Sequence, residues 1–147
     1  MSPQTGTTTP GAPITAVLGP NGVFTLFMVD PVGGQVRAAS GNRDQGWGAG
    51  WSTSATGFTS PGATVTAVSL GPDEIMVFGV DPEGSAWSTS GNHSQGWPDL
   101  INVTPGGTTT PGATVAAAPG PDGMITLFLP IPGYITLGWG PTRPAAA

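Results

Sequence analysis

The sequence contains no cysteine and no lysine, and only 7% of its residues are charged. Without cysteine the chain can form neither a disulfide nor a thiolate metal site. Three arginines against eight acidic residues argue against nucleic acid as a partner, because phosphate binding needs clustered basic side chains. Acid–base catalysis needs titratable side chains that converge on one site, and the sequence has one histidine and only scattered acidic residues. We therefore expect a protein that is not an enzyme and that uses no metal or other cofactor.

The sequence also lacks a long apolar run and a recognisable secretory signal. The N-terminal residues Met1 to Gly6 contain neither a basic segment nor an apolar segment. The longest apolar stretch, around Val23–Val29, is far shorter than the roughly 20 residues that a membrane-spanning helix needs. We expect a soluble chain without membrane insertion, and its cellular compartment is left open.

Glycine and proline are plentiful, with 25 and 17 residues, and they recur at regular intervals. Pro-Gly-Ala begins at Pro10, Pro61 and Pro111, which are 51 and 50 residues apart. Gly-Pro-Asn/Asp, Asp-Pro, Ser-Gly-Asn and Gln-Gly-Trp follow in the same order in the units that carry them. The recurrence predicts one repeat domain over residues 1–147, with units at about 10–60, 61–110 and 111–140 and a Pro/Ala tail at 141–147.

Each unit is predicted to contain short strands separated by Gly- and Pro-based turns. The first strands are predicted at Ile14–Leu18, Val65–Leu70 and Val115–Ala118. The second strands are apolar on both faces, as buried strands are, and lie at Val23–Asp30, Ile75–Asp81 and Met124–Pro130. The third strands are predicted at Gln35–Ser40, Ser85–Ser90 and Tyr134–Trp139, and the fourth at Trp51–Phe58 and Leu100–Thr104.

A repeat of about 50 residues with four short strands is typical of a β-propeller blade. The predicted fold class is therefore all-β, with blades of four-stranded antiparallel sheets. The alternatives are a β-prism, a β-sandwich and a β-solenoid. The chain holds two complete blades and three strands of a third, so we expect the ring to close by association into a homo-oligomer. A dimer is favoured, because two-fold symmetry is the commonest among homo-oligomers.

The repeated motifs resemble the blade repeat of the fucose-binding and related propeller lectins of fungi and bacteria. The resemblance spans about residues 10–140 and rests on Pro-Gly-Ala-x-Val-x-Ala-Val, Gly-Pro-Asp, Val-Phe-x-Val-Asp-Pro-x-Gly-x-x-Trp and Gly-Trp. It implies sugar sites between adjacent blades, where an Arg and a Glu hold the hydroxyls and a Trp stacks on the sugar. Arg37 matches that Arg, and Trp47 and Trp97 match the stacking Trp.

The sequence departs from this pattern at the Arg/Glu pair. Ala39 stands where the Glu is expected. At the position of Arg37, unit two has Trp87 and unit three has Thr136. The pair is therefore incomplete in all three units.

The residue types themselves suggest further ligand contacts. Trp47 and Trp97 offer flat faces on which sugar C–H groups stack, and they serve equally well as structural clamps between blades. Trp87 has no aromatic counterpart in the other units, which indicates either a specialised surface or half-buried packing. Asn92 and His93 lie in the turn before the second Gly-Trp. Their polar side chains either bind a hydroxyl-rich ligand or belong to an ordinary solvated turn.

Together these features predict a non-catalytic, lectin-like module that binds a glycan or glycoconjugate, with several sites presented by an oligomer. The alternative is a structural or host-attachment component of a larger assembly, such as a phage virion or tail. The low charge and the absence of lysine are equally compatible with that alternative.

Overall fold

The structure is a computed structural model. It describes residues 13–19, 22–30, 33–47, 51–52, 59–60, 63–71, 74–92, 95–97, 101–121, 124–131 and 134–139. These residues form β-strands and no α-helix. Accordingly, no helix in this part of the chain has the length and apolar character to cross a membrane.

The strands form three antiparallel sheets, one in each repeat unit. The first sheet contains β1 (Thr15–Leu18), β2 (Phe24–Val29), β3 (Val36–Asn42), β4 (Gly46–Trp47) and β5 (Trp51–Ser52). The second contains β6 (Thr66–Gly71), β7 (Glu74–Val80), β8 (Ala86–Gly91) and β9 (Ile101–Asn102). The third contains β10 (Ala116–Pro119), β11 (Ile125–Ile131) and β12 (Tyr134–Trp139). Consecutive strands are neighbours, except that β4 and β5 both pair with β3.

The all-β, antiparallel prediction is confirmed, and the first three strands of each unit lie close to their predicted positions. The described parts of the fourth strands are β5 and β9, with two residues each. Residues 53–58 of the first predicted fourth strand lie outside the described part. A closed ring and its number of blades stay predictions.

The alignment of unit three with the other units needs one correction. Leu137, and not Thr136, is opposite Leu129 on β11. That pair is equivalent to Met28–Arg37 in unit one and Gly79–Trp87 in unit two. The cause is a register irregularity between Leu129 and Ile131, which shifts the pairing by one residue.

The hydrophobic core consists of two clusters, each filling the space between neighbouring sheets. The first cluster joins sheets one and two through Val17, Phe27, Val29, Val36, Ala38, Val65, Ile75, Val77, Trp87 and Trp97. The second joins sheets two and three through Val68, Met76, Phe78, Val80, Ala86, Val115, Ile125, Leu127 and Leu129. Sheet two is therefore buried on both faces.

Threonine side chains connect neighbouring units at equivalent positions. Thr15 on β1 donates its hydroxyl to the backbone oxygen of Val65, and Thr66 on β6 donates to that of Val115. Consistent with these bonds, β6 contacts both β1 and β10. The first strands of successive units thus lie side by side, as expected if they line a narrow axis.

A second pair of threonines connects the units at the ends of their second strands. The Thr59 hydroxyl donates to the backbone oxygen of Val80, and the Thr109 hydroxyl donates to that of Pro130. The Thr109 backbone N–H also donates to Gly84, which has a φ of 78°. A Cβ at Gly84 would lie 2.2 Å from the Thr109 backbone oxygen, so this turn requires glycine.

Candidate functional site

Arg37 lies on β3 and forms an ion pair with Asp30. The distance from Arg37 Nη2 to Asp30 Oδ2 is 3.5 Å, and the two side chains are 41% and 12% exposed. The Asp-Pro turn fixes the carboxylate, because Asp30 Oδ1 accepts hydrogen bonds from the backbone N–H groups of Gly33 and Gln35. The pair thus places the donors of a partly exposed guanidinium beside a largely buried carboxylate.

Trp47 lies on the same sheet as Arg37 and is half-buried. It pairs with Gly41 of β3. A Cβ at Gly41 would lie 2.9 Å from Trp47 Cε3, so the indole lies directly against the glycine backbone. The residue as a whole retains accessible area, as a stacking platform requires.

Trp97 and Trp87, by contrast, are core residues with 1% and 0% exposure. The Trp97 Nε1–H donates to the backbone oxygen of Ile75 at 3.0 Å. Its ring packs edge-on against Phe27 of unit one, with 5.1 Å between the ring centroids and 83° between the planes. This geometry makes Trp97 a structural clamp between units, which is the alternative that the sequence left open beside a stacking platform for sugar.

Trp87 is buried because its cross-strand partner has no side chain. Gly79 is opposite Trp87 on β7, and a Cβ there would lie 2.5 Å from Trp87 Cζ2. The indole therefore lies across the glycine and fills the space between sheets one and two. This burial favours the packing alternative for Trp87, and a ligand contact there stays a prediction. The glycine within an otherwise apolar strand was the sequence signal for this burial.

Asn92 stabilises the turn that leads to Trp97. Its side-chain oxygen accepts a hydrogen bond from the Gln95 N–H at 2.9 Å, and its backbone oxygen accepts one from Gly96 at 2.7 Å. Asn42 makes the equivalent side-chain bonds in unit one. Asparagine is thus present in both turns for a local structural reason. His93 lies outside the described residues.

A separate cleft of about 590 Å³ lies at one end of sheet two. It is lined by Asp81, Glu83, Ser85, Asn102, Val103, Thr104, Pro105 and Gly106. Asp81 Oδ1 is engaged by the N–H groups of Glu83 and Ser85. The five predicted site residues in the described part of the chain do not line this cleft. Across the described part of the chain, no three His, Cys, Asp or Glu side chains converge as metal ligands.

Neither a protein-family model nor a curated protein matches the sequence. Among solved structures, the chain is similar to the BP39L lectin from Burkholderia pseudomallei, with a TM-score of 0.70 and 23% sequence identity. The similarity covers 97% of this chain and 43% of the lectin, so the chain spans less than half the length of that protein. At this identity the likeness shows a shared fold.

Proposed function

We propose that the chain is a non-catalytic, carbohydrate-binding module of the lectin type. The observation that carries the proposal is the Arg37–Asp30 pair, which lies on the same sheet as the half-buried Trp47. The fold shared with the BP39L lectin supports it. The Arg37–Asp30 pair together with Trp47 is referred to below as the sheet-one site.

The chemistry of the sheet-one site suits a sugar. A sugar hydroxyl both donates and accepts hydrogen bonds, and the guanidinium and carboxylate supply the complementary groups. The indole supplies a rigid apolar surface for the C–H face of a pyranose ring. Asn92 and His93 stay predicted supporting contacts.

The test is a glycan array probed with the unaltered protein, Arg37→Ala and the matched control Arg43→Ala. Arg43 is an exposed arginine in the turn after β3. Without Arg37 the Asp30 carboxylate keeps its hydrogen bonds from the backbone N–H groups of Gly33 and Gln35, so all three proteins should be folded. We expect the unaltered protein and Arg43→Ala to bind one class of glycan. Arg37→Ala should bind at least about tenfold more weakly, as for the loss of a charged hydrogen bond.

Two results on this array would contradict the proposal. A blank array from a protein with a folded circular-dichroism spectrum would remove the lectin assignment. Equal binding by Arg37→Ala and Arg43→Ala would mean that the protein is a lectin whose sugar site does not include Arg37.

The proposal includes self-association into a homo-oligomer, with a dimer favoured. A shallow site on one sheet binds a single sugar weakly. Several sites on one particle bind a multivalent surface more strongly, because the second contact forms at a high effective concentration. The binding of a glycan-coated surface should therefore exceed the binding of the same monosaccharide in solution.

The second candidate is a structural or host-attachment component of a larger assembly, such as a virion or tail. It is favoured by the exposed apolar side chains of Ile14 and Phe24 on sheet one, which suit contact with another protein. Recovery of the chain only with particles, together with a blank glycan array, would support this candidate over the first.

A further inference from the structure

The cleft at one end of sheet two is built by two segments of unit two. One segment is the second Asp-Pro turn with the residue that closes it, and the other is the end of β9 with the chain that follows it. The volume of about 590 Å³ lies within the range of about 300–1,000 Å³ that is common for small-molecule sites. A monosaccharide fits into a space of this size.

Hydrogen bonds between the two segments hold the walls of the cleft in place. The Ser85 hydroxyl donates to the backbone oxygen of Thr104, and the Ala86 N–H donates to Thr104 Oγ1 at 2.9 Å. The Gly107 N–H donates to the backbone oxygen of Glu83 at 2.8 Å. Ser85 and Thr104 are 4% and 8% exposed, so both lining residues belong to the buried part of the unit. The cleft is therefore preformed, and a ligand would need to order little of the chain when it binds.

The side chains that line the cleft are rich in hydrogen-bond acceptors. Asp81 Oδ1 accepts hydrogen bonds from two backbone N–H groups of its own turn, whereas Asp81 Oδ2 accepts none from the described residues. Glu83 and Asn102 are exposed and add a second carboxylate and an amide. Val103 and Pro105 supply apolar surface beside these polar groups. The lining thus combines acceptors, one amide donor and a small apolar area.

The equivalent turn of unit one has a different charge arrangement. Asp30 and Asp81 begin the two Asp-Pro turns, and each donates its backbone N–H to the residue that closes its turn. Asp30 is paired with Arg37, whereas the position equivalent to Arg37 in unit two holds the buried Trp87. Among the described residues, no basic side chain forms an ion pair with Asp81. The negative charge of the turn is therefore compensated in unit one but not in unit two.

This lining determines which ligands suit the cleft. An ionised carboxylate only accepts hydrogen bonds, so its partner has to supply donors, and each sugar hydroxyl supplies one. A sugar that carries a carboxylate or a sulfate of its own would be repelled by the two acidic side chains. A neutral sugar supplies several hydroxyl donors without this repulsion.

We propose that the cleft is a second carbohydrate site, which takes a neutral sugar residue and rejects acidic sugars. Asp81 and Glu83 accept hydrogen bonds from its hydroxyl groups, and the Asn102 amide both donates and accepts. This inference rests on the lectin-type function proposed above and adds to it a site with a selectivity of its own. The cleft uses no residue of the sheet-one site, so the two sites can be tested separately.

The experiment tests the cleft in a protein that lacks the Arg37 side chain. Arg37→Ala is compared with the same protein carrying Asp81→Asn and Glu83→Gln, which removes both carboxylates from the cleft. The matched control carries Arg37→Ala with Asp44→Asn and Glu74→Gln, which change the net charge equally but lie outside the cleft. Asparagine at position 81 keeps an oxygen for the N–H groups of the turn, so the fold should be retained. Equal thermal unfolding of the three proteins checks this.

The probes are neutral hexoses and their uronic acids, namely glucose, galactose and mannose with glucuronic, galacturonic and mannuronic acid, displayed on one array. Arg37→Ala should retain binding to at least one neutral hexose. It should bind that hexose at least about tenfold more strongly than the matching uronic acid, because like charges repel. The variant without the cleft carboxylates should lose at least about tenfold of this binding, as for the loss of charged hydrogen bonds, and the control should keep it.

The outcomes separate this inference from the function on which it rests. Equal binding by the cleft variant and its control would overturn the cleft as a site, and a preference for the uronic acid would overturn its selectivity. If the unaltered protein binds glycans and folded Arg37→Ala binds none, the cleft is overturned and the sheet-one site stands. A blank array with the unaltered protein would remove the lectin function and the cleft site together.

Discussion

Units one and two of this chain carry the same motifs but use them differently. At one equivalent position, unit two has Trp87, which lies buried across Gly79, and unit one has Arg37, which is partly exposed and paired with Asp30. After the shared Gln-Gly, unit two has the fully buried Trp97 and unit one the half-buried Trp47. The difference shows that the neighbouring sheet, and not the motif, decides whether an aromatic residue belongs to the core.

The largest expected difference between the two units is in the stability effect of their equivalent tryptophans. Trp97→Ala should lower the free energy of unfolding by about 3–5 kcal/mol, because it removes a buried ring and leaves a cavity. Trp47→Ala should have a much smaller effect in dilute solution, because Trp47 is only half-buried. Urea unfolding at several protein concentrations measures both. Equal losses at the lowest concentration would contradict the comparison.

The second expected effect concerns the glycine that accommodates Trp87. Gly79→Ala should destabilise the protein by about 1–3 kcal/mol, because the new Cβ would lie 2.5 Å from the indole. The matched control is Gly71→Ala, where an added Cβ meets nothing within 4 Å. Thermal unfolding of the two variants gives the difference. A Gly79→Ala protein as stable as the control would mean that Trp87 does not lie across this glycine.

The smallest expected effect concerns two buried threonines. Thr59 donates a hydrogen bond to the backbone oxygen of Val80. Thr59→Val should therefore lower the free energy of unfolding by about 1 kcal/mol. Thr89, also buried, has no hydrogen-bond partner for its hydroxyl within the described part of the chain. Thr89→Val should therefore be neutral or stabilising by up to about 1 kcal/mol. Denaturant midpoints of the two variants that shift by the same amount would contradict this assignment.

Much of the fold was predictable because the turn motifs repeat. Asp-Pro and Ser-Gly-Asn mark the ends of strands, so the strand positions follow from local chemistry. The register of unit three was missed although it has a sequence mark: Pro130 lies at the irregularity between Leu129 and Ile131. Proline has no N–H for the ladder and is found in strands mainly at edges and bulges.

The candidate site was predictable only in part. Arg37 was identified from a resemblance, and the structure adds Asp30 as its partner. The burial of Trp87 was not predictable, because it depends on the neighbouring unit, about 50 residues away in the sequence. The missing information was the cross-strand pairing with Gly79, which becomes visible only once the register is known.

The central proposal is that the chain is a lectin-type module whose sites are presented by a homo-oligomer, and the mass of the particle in solution tests this self-association most directly. Sedimentation velocity of the unaltered chain should give a multiple of 14.6 kDa, with twice that mass favoured. A folded, unaltered protein that stays at 14.6 kDa at all concentrations would contradict the account.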